Sequence, residues 1–228
     1  RHDQIGSEID MILGLTRVVY EKFGFKNFRA RVSVRDPEKP EKYFGDDALW
    51  KLAEKNLVEA VERWGVEYFV GEGEAAFYGP KIDIMIEDAL GREWQLTTAQ
   101  LDFTQPENFD LTYTGEDGKS HRPAVLHVAI FGSLERFMGI IIEHFGGAFP
   151  GWLAPVQVRI LPVSDQFLPF ANEVFEELRN AGVRVEIDNA AETLGKKIRN
   201  AEHMRIPYMV VIGEKETTER NVAVRDYA

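Results

Sequence analysis

The chain has 228 residues, no cysteine and a formal net charge of −11, and 44% of its residues are hydrophobic. This length and hydrophobic content allow one large folded domain or two ordinary ones, while the lack of cysteine excludes disulfides and thiolate zinc ligands within the sequence. The negative charge argues against a diffuse electrostatic grip on nucleic acid, and no apolar run approaches the roughly 20 residues that cross a bilayer.

The first part of the chain predicts two helices and a strand. Apolar residues at helical spacing from Ile5 onward predict a helix that Gly24 ends. Alternation in FRARVSV, residues 28–34, predicts a half-buried strand. Asp46 is the expected N-cap of the next helix, which should end near Gly65.

Further strands are predicted between short turns. They are IDIMIED, REWQLTTAQLDF, LTYTGEDGKSHR, with a hairpin signal at Asp117-Gly118, and PAVLHVAIF. Strands joined by short turns imply antiparallel pairing, and helices around such a sheet make an α+β domain.

The pattern changes at the Pro/Gly-rich stretch FPGWLAP, residues 149–155. Beyond it, strands and helices alternate through VQVRILP, VRVEI and YMVVIG, and NVAVRD is the predicted last strand. This alternation predicts an α/β domain with a parallel or mixed sheet. We place the boundary at Ala154, so that the domains are residues 1–153 and 154–228.

The stretch GEGEAAFYGPKIDI, residues 71–84, is rich in turn residues and leads into a strand. Its glycines let the backbone approach a ligand, Tyr78 offers a ring and a hydroxyl, and Lys81 enters the strand. A surface loop with an ordinary lysine is the alternative interpretation of this stretch.

Three polar residues in REWQLTTAQLDF also suggest a binding site. In an ideal strand Thr98 and Gln100 point to one side and Gln95 to the other. If all three serve one pocket, a β-bulge must lie between Gln95 and Thr98. Otherwise these groups simply face solvent.

A helix beginning after Gly132 carries a cation where one is not expected. Ser133 is a good N-cap, but Arg136 occupies the position at which a capping box has Glu. Because a helix N-terminus is already electropositive, Arg136 suggests an anion, and its fork suits phosphate oxygens. An arginine stem that covers apolar surface, or a pair with a nearby carboxylate, is the alternative.

These stretches resemble one family. GEAAFYGPKIDI, GREWQLTTAQLDF, FDLTYTGEDGKSHRPAVLHVAIFGSLERF and FPGWLAPVQVRILPVSD closely resemble the threonyl-tRNA synthetases, in the same order and at similar spacing. GSLERF matches motif 3 of class II synthetases, and KKIRNAEHMRIPYMVVIGEKE with VAVRD resembles the anticodon-binding domain. The resemblance implies part of an α+β, antiparallel-sheet class II catalytic domain followed by an α/β anticodon-binding domain.

The resemblance also implies an activity and a set of roles. The family activates L-threonine with ATP and Mg²⁺ as threonyl-adenylate and transfers the threonyl group to tRNA(Thr), so a cytoplasmic, homodimeric enzyme with no membrane partner is expected. Lys81 and Arg136 would be catalytic. ATP or the adenylate would be bound by Lys81, Gln95, Thr98 and Arg136, and threonine by Tyr78, Gln100 and Ser133.

The resemblance further implies a zinc ion that holds the amino and hydroxyl groups of threonine and so rejects valine. His127 matches one zinc ligand, although a lone histidine in an apolar strand is more often a core residue. His2 is the only candidate for a second ligand. In the second domain the expected anticodon-binding residues are Arg199, Arg205, Glu216 and Arg225, and Lys196, Lys197 and Arg199 form an expected backbone-contacting cluster.

Departures from the family qualify this interpretation. Motif 1, the motif 2 arginine and the zinc-binding cysteine would all lie upstream of Arg1, so these 228 residues alone are expected to be inactive. Val128 stands where the family commonly has Arg, and Ala190-Ala191 replace an Arg-Asn pair that helps to read the anticodon. The alternative is a synthetase-like paralogue that binds tRNA or regulates without aminoacylation.

Overall fold

A computed structural model of the chain describes residues 1–227, which fall into two compact units. The first unit is Arg1–Ile140, and the second begins at Ile141. The domain boundary at Ala154 stays a prediction. Among the described residues no helix is long and apolar enough to cross a membrane.

The elements that begin in the first unit alternate helices and strands around one main sheet. In chain order they are α1 (Ile5–Phe23), β1 (Phe28–Val34), α2 (Asp47–Trp64), β2 (Tyr68–Glu72), β3 (Lys81–Glu87), β4 (Glu93–Asp102), α3 (Thr104–Asn108), β5 (Tyr113–Thr114), β6 (Ser120–His121), β7 (Val125–Ala129) and α4 (Leu134–His144). The predicted strands and the hairpin β5–β6 are confirmed.

The main sheet has the strand order β2-β1-β3-β4-β7. The pairs β1–β3, β3–β4 and β4–β7 are antiparallel, as predicted. Strand β2, which the sequence patterns did not predict, pairs with β1 in parallel. The reason is the connection, because α2 carries the chain back and lets the next strand run in the same direction.

Local signals fix the ends of the two long helices. Helix α1 ends at Gly24, which has a left-handed φ of 75°. The Asp46 side chain accepts hydrogen bonds from the Ala48 and Leu49 amides at 2.8 and 3.1 Å, and α2 ends at Gly65. These predicted boundaries are confirmed. The apolar sides of α1 and α2 pack on one face of the sheet, where side chains such as those of Val32 and Ile84 are buried.

The second unit contains a four-stranded mixed sheet. After the end of α4 its elements are β8 (Val158–Pro162), α5 (Leu168–Asn180), β9 (Val185–Ile187), α6 (Leu194–His203), β10 (Tyr208–Ile212), α7 (Glu214–Glu219) and β11 (Ala223–Asp226). Strand β8 is parallel to β9 and β10, and the edge strand β11 is antiparallel to β10. The predicted mixed α/β sheet and its last strand are confirmed.

Candidate functional site

Polar side chains gather on the face of the main sheet opposite the α1 and α2 core. Residues that pair directly across neighbouring strands project to the same face. Two adjacent rows of such partners run Arg31, Asp83, Thr98 and Ala129, and then Ser33, Lys81, Gln100 and His127. The sheet thus brings Lys81, Thr98, Gln100 and His127 to one surface from three separate strands.

A β-bulge brings Gln95 to the same face. Met85 pairs with Gln95 and Asp83 pairs with Thr98, so β4 uses three steps where β3 uses two. The Gln95 Nε2 atom donates to Thr98 Oγ1 at 3.0 Å, which places both side chains on one side. The bulge expected between Gln95 and Thr98 is confirmed.

The core side of the sheet holds this bulge in place. The two residues in the bulge, Leu96 and Thr97, are both buried. The Tyr20 hydroxyl of α1 accepts from the Thr97 amide at 3.3 Å and lies 2.8 Å from Thr97 Oγ1, which donates to the Ile130 carbonyl. Burial raises the pKa of Tyr20 to about 12. Tyr20 therefore satisfies an amide that the bulge removes from the sheet.

We predict that Tyr20→Phe destabilises the first unit by about 1–3 kcal/mol, because it leaves the buried Thr97 amide without that acceptor. Urea unfolding of the chain measures this loss. Tyr68→Phe is the matched control, since its hydroxyl donates to the exposed Glu62 carboxylate and its loss should change stability by less than about 0.5 kcal/mol. Equal effects of the two changes would contradict the prediction.

Asp83 is the buried centre of the polar face. Its side chain has no exposed surface, and both oxygens accept hydrogen bonds. The donors are Arg31, Lys81 and Ser33 to Oδ2, and Gln95 and Thr98 to Oδ1, at 2.7–3.1 Å. Burial alone would raise the pKa of the Asp83 carboxyl, but hydrogen bonds from Lys81 and Arg31 bring it below its ordinary value.

Asp83 and Arg31 were not among the predicted site residues. The signal was present, because each is an ionisable residue between apolar neighbours in a strand, and Asp83 lies two residues after Lys81. Residues two apart in a strand share a face, so the strand geometry requires Asp83 to lie beside Lys81.

Tyr78 and Gln100 adjoin this cluster at the end of β4 next to the loop. The Tyr78 hydroxyl donates to Gln100 Oε1 at 3.1 Å, and Gln100 Nε2 lies 3.5 Å from the Gly79 carbonyl oxygen. A Cβ on Gly79 would lie only 1.7 Å from the Leu101 carbonyl oxygen. The loop that carries Tyr78 therefore rests directly on β4, at a distance only glycine permits.

The two candidate zinc ligands have separate partners. His127 Nε2 lies 2.8 Å from the buried Asp102 carboxylate, whereas His2 Nε2 lies 3.2 Å from the Arg122 carbonyl oxygen and its ring stacks on Phe103. Within residues 1–227 no group of three or more His, Asp or Glu side chains is placed to hold a metal ion. A catalytic zinc site needs about three protein ligands, so the described residues do not form one by themselves.

Arg136 lies at the start of α4 beside Gln95. Its amide donates to Ser133 Oγ at 3.3 Å, which confirms Ser133 as N-cap. Its guanidinium donates to the Gln95 carbonyl at 3.1 Å and lies 5.8 Å from the Trp94 ring centroid. Among the described carboxylates none forms an ion pair with Arg136. The cation next to the Gln95–Thr98 pair is therefore exposed and able to meet an anion.

In the second unit, three of the four predicted anticodon-binding residues lie close together. Arg199 and Arg205 line a cavity of about 240 Å³ with Glu202, His203 and Tyr227. Arg225 donates to the Glu202 carboxylate at 2.8 Å. Glu216 lies apart from this cavity lining, in the first turn of α7, where its carboxylate accepts from the Gly213 amide at 3.0 Å.

The predicted backbone-contacting cluster needs a correction at Lys197. This side chain is buried, and its Nζ donates to the Pro162 and Asp188 carbonyls at 3.1 and 3.0 Å. It braces the sheet instead of reaching a phosphate. Lys196 is exposed but pairs with Glu192, so Arg199 is the member of the predicted cluster that lines the cavity.

Two family models match the chain. The model described as tRNA synthetase class II core domain (G, H, P, S and T) matches residues 1–145, and the one described as anticodon binding domain matches residues 157–228. The chain belongs to the class II aminoacyl-tRNA synthetases.

Individual relatives are similar to the chain over its whole length. The threonine–tRNA ligase of Chloroherpeton thalassium is 52% identical over 225 residues, which cover 99% of this chain and 34% of that protein. That of Deinococcus radiodurans is 50% identical over 226 residues, covering 99% and 35%. The solved RNA binding domain of threonyl-tRNA synthetase from Cryptosporidium parvum Iowa II has a TM-score of 0.90 and 37% identity, covering 100% of this chain and 56% of that one.

These comparisons confirm the resemblance to the threonyl-tRNA synthetases and the expected fold class. The chain spans about a third of the length of the curated relatives that it matches.

Proposed function

We propose that the protein carrying this sequence is a threonine–tRNA ligase, which activates L-threonine with ATP and Mg²⁺ and transfers it to tRNA(Thr). One observation carries the proposal. Residues expected to bind the nucleotide come from separate segments of the chain and lie together. The side chains of Lys81, Gln95 and Thr98 all donate to the Asp83 carboxylate. The exposed Arg136 guanidinium donates to the backbone carbonyl of the same Gln95 at 3.1 Å.

The first half-reaction requires charge compensation. The threonine carboxylate attacks the α-phosphorus of ATP, the bond to the pyrophosphate oxygen breaks, and negative charge is redistributed over the phosphate oxygens. Lys81 and Arg136 are the cations proposed to offset that charge. Gln95 and Thr98 are uncharged groups that would hold the nucleotide between them.

The threonine end of the site is proposed at Tyr78, Gln100 and Ser133. The Tyr78–Gln100 hydrogen bond and the close seat of Gly79 on β4 support a preformed pocket wall there. Ser133 Oγ already accepts from the Arg136 amide and donates to Glu135, so a contact with threonine would replace or share those bonds.

Of the two candidate zinc ligands, His127 alone has surroundings that suit a metal-bound histidine. When bound in this family, zinc holds the amino and hydroxyl groups of threonine. His127 fits as one ligand, because Asp102 can orient its ring as carboxylates do for metal-bound histidines. The described residues do not complete a zinc site, so no step of the proposed reaction depends on zinc, and His2 is not part of the proposal.

tRNA binding is proposed for the cavity lined by Arg199 and Arg205 and for Arg225 beside it. Guanidinium planes can stack on and hydrogen-bond to unstacked anticodon bases. Glu216 would have to contribute from α7, where its carboxylate already caps Gly213. Homodimer formation and a cytoplasmic location are proposed from the family resemblance alone.

Aminoacylation assays on a full-length protein that contains this sequence test the proposal. We expect charging of tRNA(Thr) with threonine. The exposed Val128 beside His127 motivates the second candidate, a paralogue without aminoacylation. Filter binding of tRNA without any charging would favour that paralogue and contradict the ligase.

We predict that the 228-residue chain alone does not catalyse threonine-dependent ATP–pyrophosphate exchange at the rate of a complete synthetase. The physical reason is that Lys81 and Arg136 are the proposed phosphate-binding cations here, whereas the family adds the motif 2 arginine from upstream sequence. Exchange by the isolated, folded chain at the full-length rate would contradict this prediction.

A further inference from the structure

Asp83 is connected to the proposed nucleotide site without being open to it. Three of its five donors, Lys81, Gln95 and Thr98, are residues proposed to bind ATP. The Asp83 side chain itself is fully buried, so a ligand on the polar face meets its donors and not the carboxylate.

The hydrogen-bonding capacity of Asp83 is fully used. An ionised carboxylate offers about four lone-pair positions, and five donors converge on this one. Arg31 and Lys81 both contact Oδ2, so the group of these three side chains keeps a formal charge of plus one. The exposed Glu74 carboxylate lies 3.8 Å from the Arg31 guanidinium and offsets the Arg31 charge, so Lys81 is the cation of this cluster that a phosphate would meet.

Asp83 fixes the orientation of these side chains. A free lysine loses up to about 2 kcal/mol of side-chain entropy when it is fixed, and glutamine loses a similar amount. Lys81 and Gln95 are already fixed on Asp83 before a ligand arrives, and prior ordering of this kind lowers the cost of binding.

We propose that Asp83 is a positioning residue of the nucleotide site, which holds Lys81, Gln95 and Thr98 in the arrangement that receives ATP. This inference rests on the proposed function. It adds a residue that touches no substrate but sets the affinity of three residues that do.

A double-mutant cycle in a full-length protein that contains this sequence tests the proposal by NMR titration with MgATP. The Trp94 indole N–H is the reporter, because it donates to Asp88 at 2.7 Å and its ring lies 5.8 Å from the Arg136 guanidinium carbon. We expect Asp83→Asn to weaken MgATP binding about tenfold, and to weaken it by less than about threefold when Lys81→Ala is already present. A residue with a merely structural role would give the same factor in both backgrounds.

Ser33→Ala is the matched control. It removes one hydrogen bond from the same Asp83 oxygen without altering a proposed ligand-binding group, and MgATP binding should stay within about twofold of wild type. If Asp83→Asn does not fold, Asp83→Glu replaces it. That change keeps the charge but displaces the oxygens by about 1.5 Å, and we expect a roughly threefold loss that disappears in the Lys81→Ala background.

The outcomes separate the two proposals. Wild-type affinity in the folded Asp83→Asn chain, or in the folded Asp83→Glu chain when the first variant does not fold, would overturn the positioning role while leaving the nucleotide site intact. The positioning role would also be overturned if Asp83→Asn weakened MgATP binding by the same factor with and without Lys81→Ala. No saturable change at Trp94 in the wild-type full-length protein would contradict the nucleotide site itself, and the proposed role of Asp83 would then be contradicted too.

Discussion

Replacement of Arg136 by alanine is expected to lower the rate of ATP–pyrophosphate exchange by about 10²–10³-fold in a full-length synthetase that contains this sequence. The guanidinium is exposed and is paired with no described carboxylate. Its contact with the backbone is one hydrogen bond from Nη1 to the Gln95 carbonyl, so its other N–H groups can meet phosphate oxygens. The amide bond to Ser133 involves the backbone and stays in the variant, so α4 should keep its start.

Arg179→Ala is the control for the Arg136 prediction. Arg179 is an exposed arginine near the end of α5 that pairs with Glu176, and its loss should leave exchange within about twofold. Arg136→Lys keeps the charge but not the bidentate fork, and we expect a rate between those of wild type and Arg136→Ala. A rate for Arg136→Ala equal to that of Arg179→Ala would show that Arg136 does not bind phosphate.

Gly79→Ala is expected to destabilise the first unit by about 3 kcal/mol, which is among the larger effects of single substitutions. The added Cβ would lie 1.7 Å from the Leu101 carbonyl oxygen and 2.7 Å from its carbon, and both belong to backbone that β4 holds in the sheet. The loop would have to lift from β4 and carry Tyr78 away from Gln100. Urea unfolding measures the loss of stability.

Gly118→Ala serves as the comparison for Gly79→Ala. Gly118 has a φ of 68° in the β5–β6 hairpin, and nothing lies within 4 Å of an added Cβ. Only the left-handed backbone is penalised there, at a cost of about 1–2 kcal/mol. A smaller loss for Gly79→Ala than for Gly118→Ala would mean that the loop does not rest on β4 as closely as described.

Local signals were enough to predict much of the fold. Gly24, Asp46 and Gly65 mark helix ends through backbone conformation and capping, which depend on neighbouring residues only. The bulge before Thr98 followed from the hypothesis that Gln95, Thr98 and Gln100 serve one pocket, and the strand register confirms the bulge.

Other features depend on residues far apart in the chain. The parallel pairing of β2 with β1 follows from the path of α2 and not from the composition of YFVGE. The role of Asp83 needed the register between β1, β3 and β4, since Arg31 and Asp83 become neighbours only through that pairing. Asp102 reaches His127 in the same way, across 25 positions of the chain.

The bulge in β4 connects the polar face of the sheet with its buried core face. On the polar face the Gln95 side-chain amide donates to Asp83, and the Gln95 backbone carbonyl accepts from Arg136. On the core face the Tyr20 hydroxyl accepts from the backbone amide of Thr97. A defect in α1 would therefore reach the groups proposed to bind phosphate through the four consecutive positions from Gln95 to Thr98. Selection for loss of charging activity should return substitutions at Tyr20 and Thr97, although both side chains are buried on the face away from any substrate.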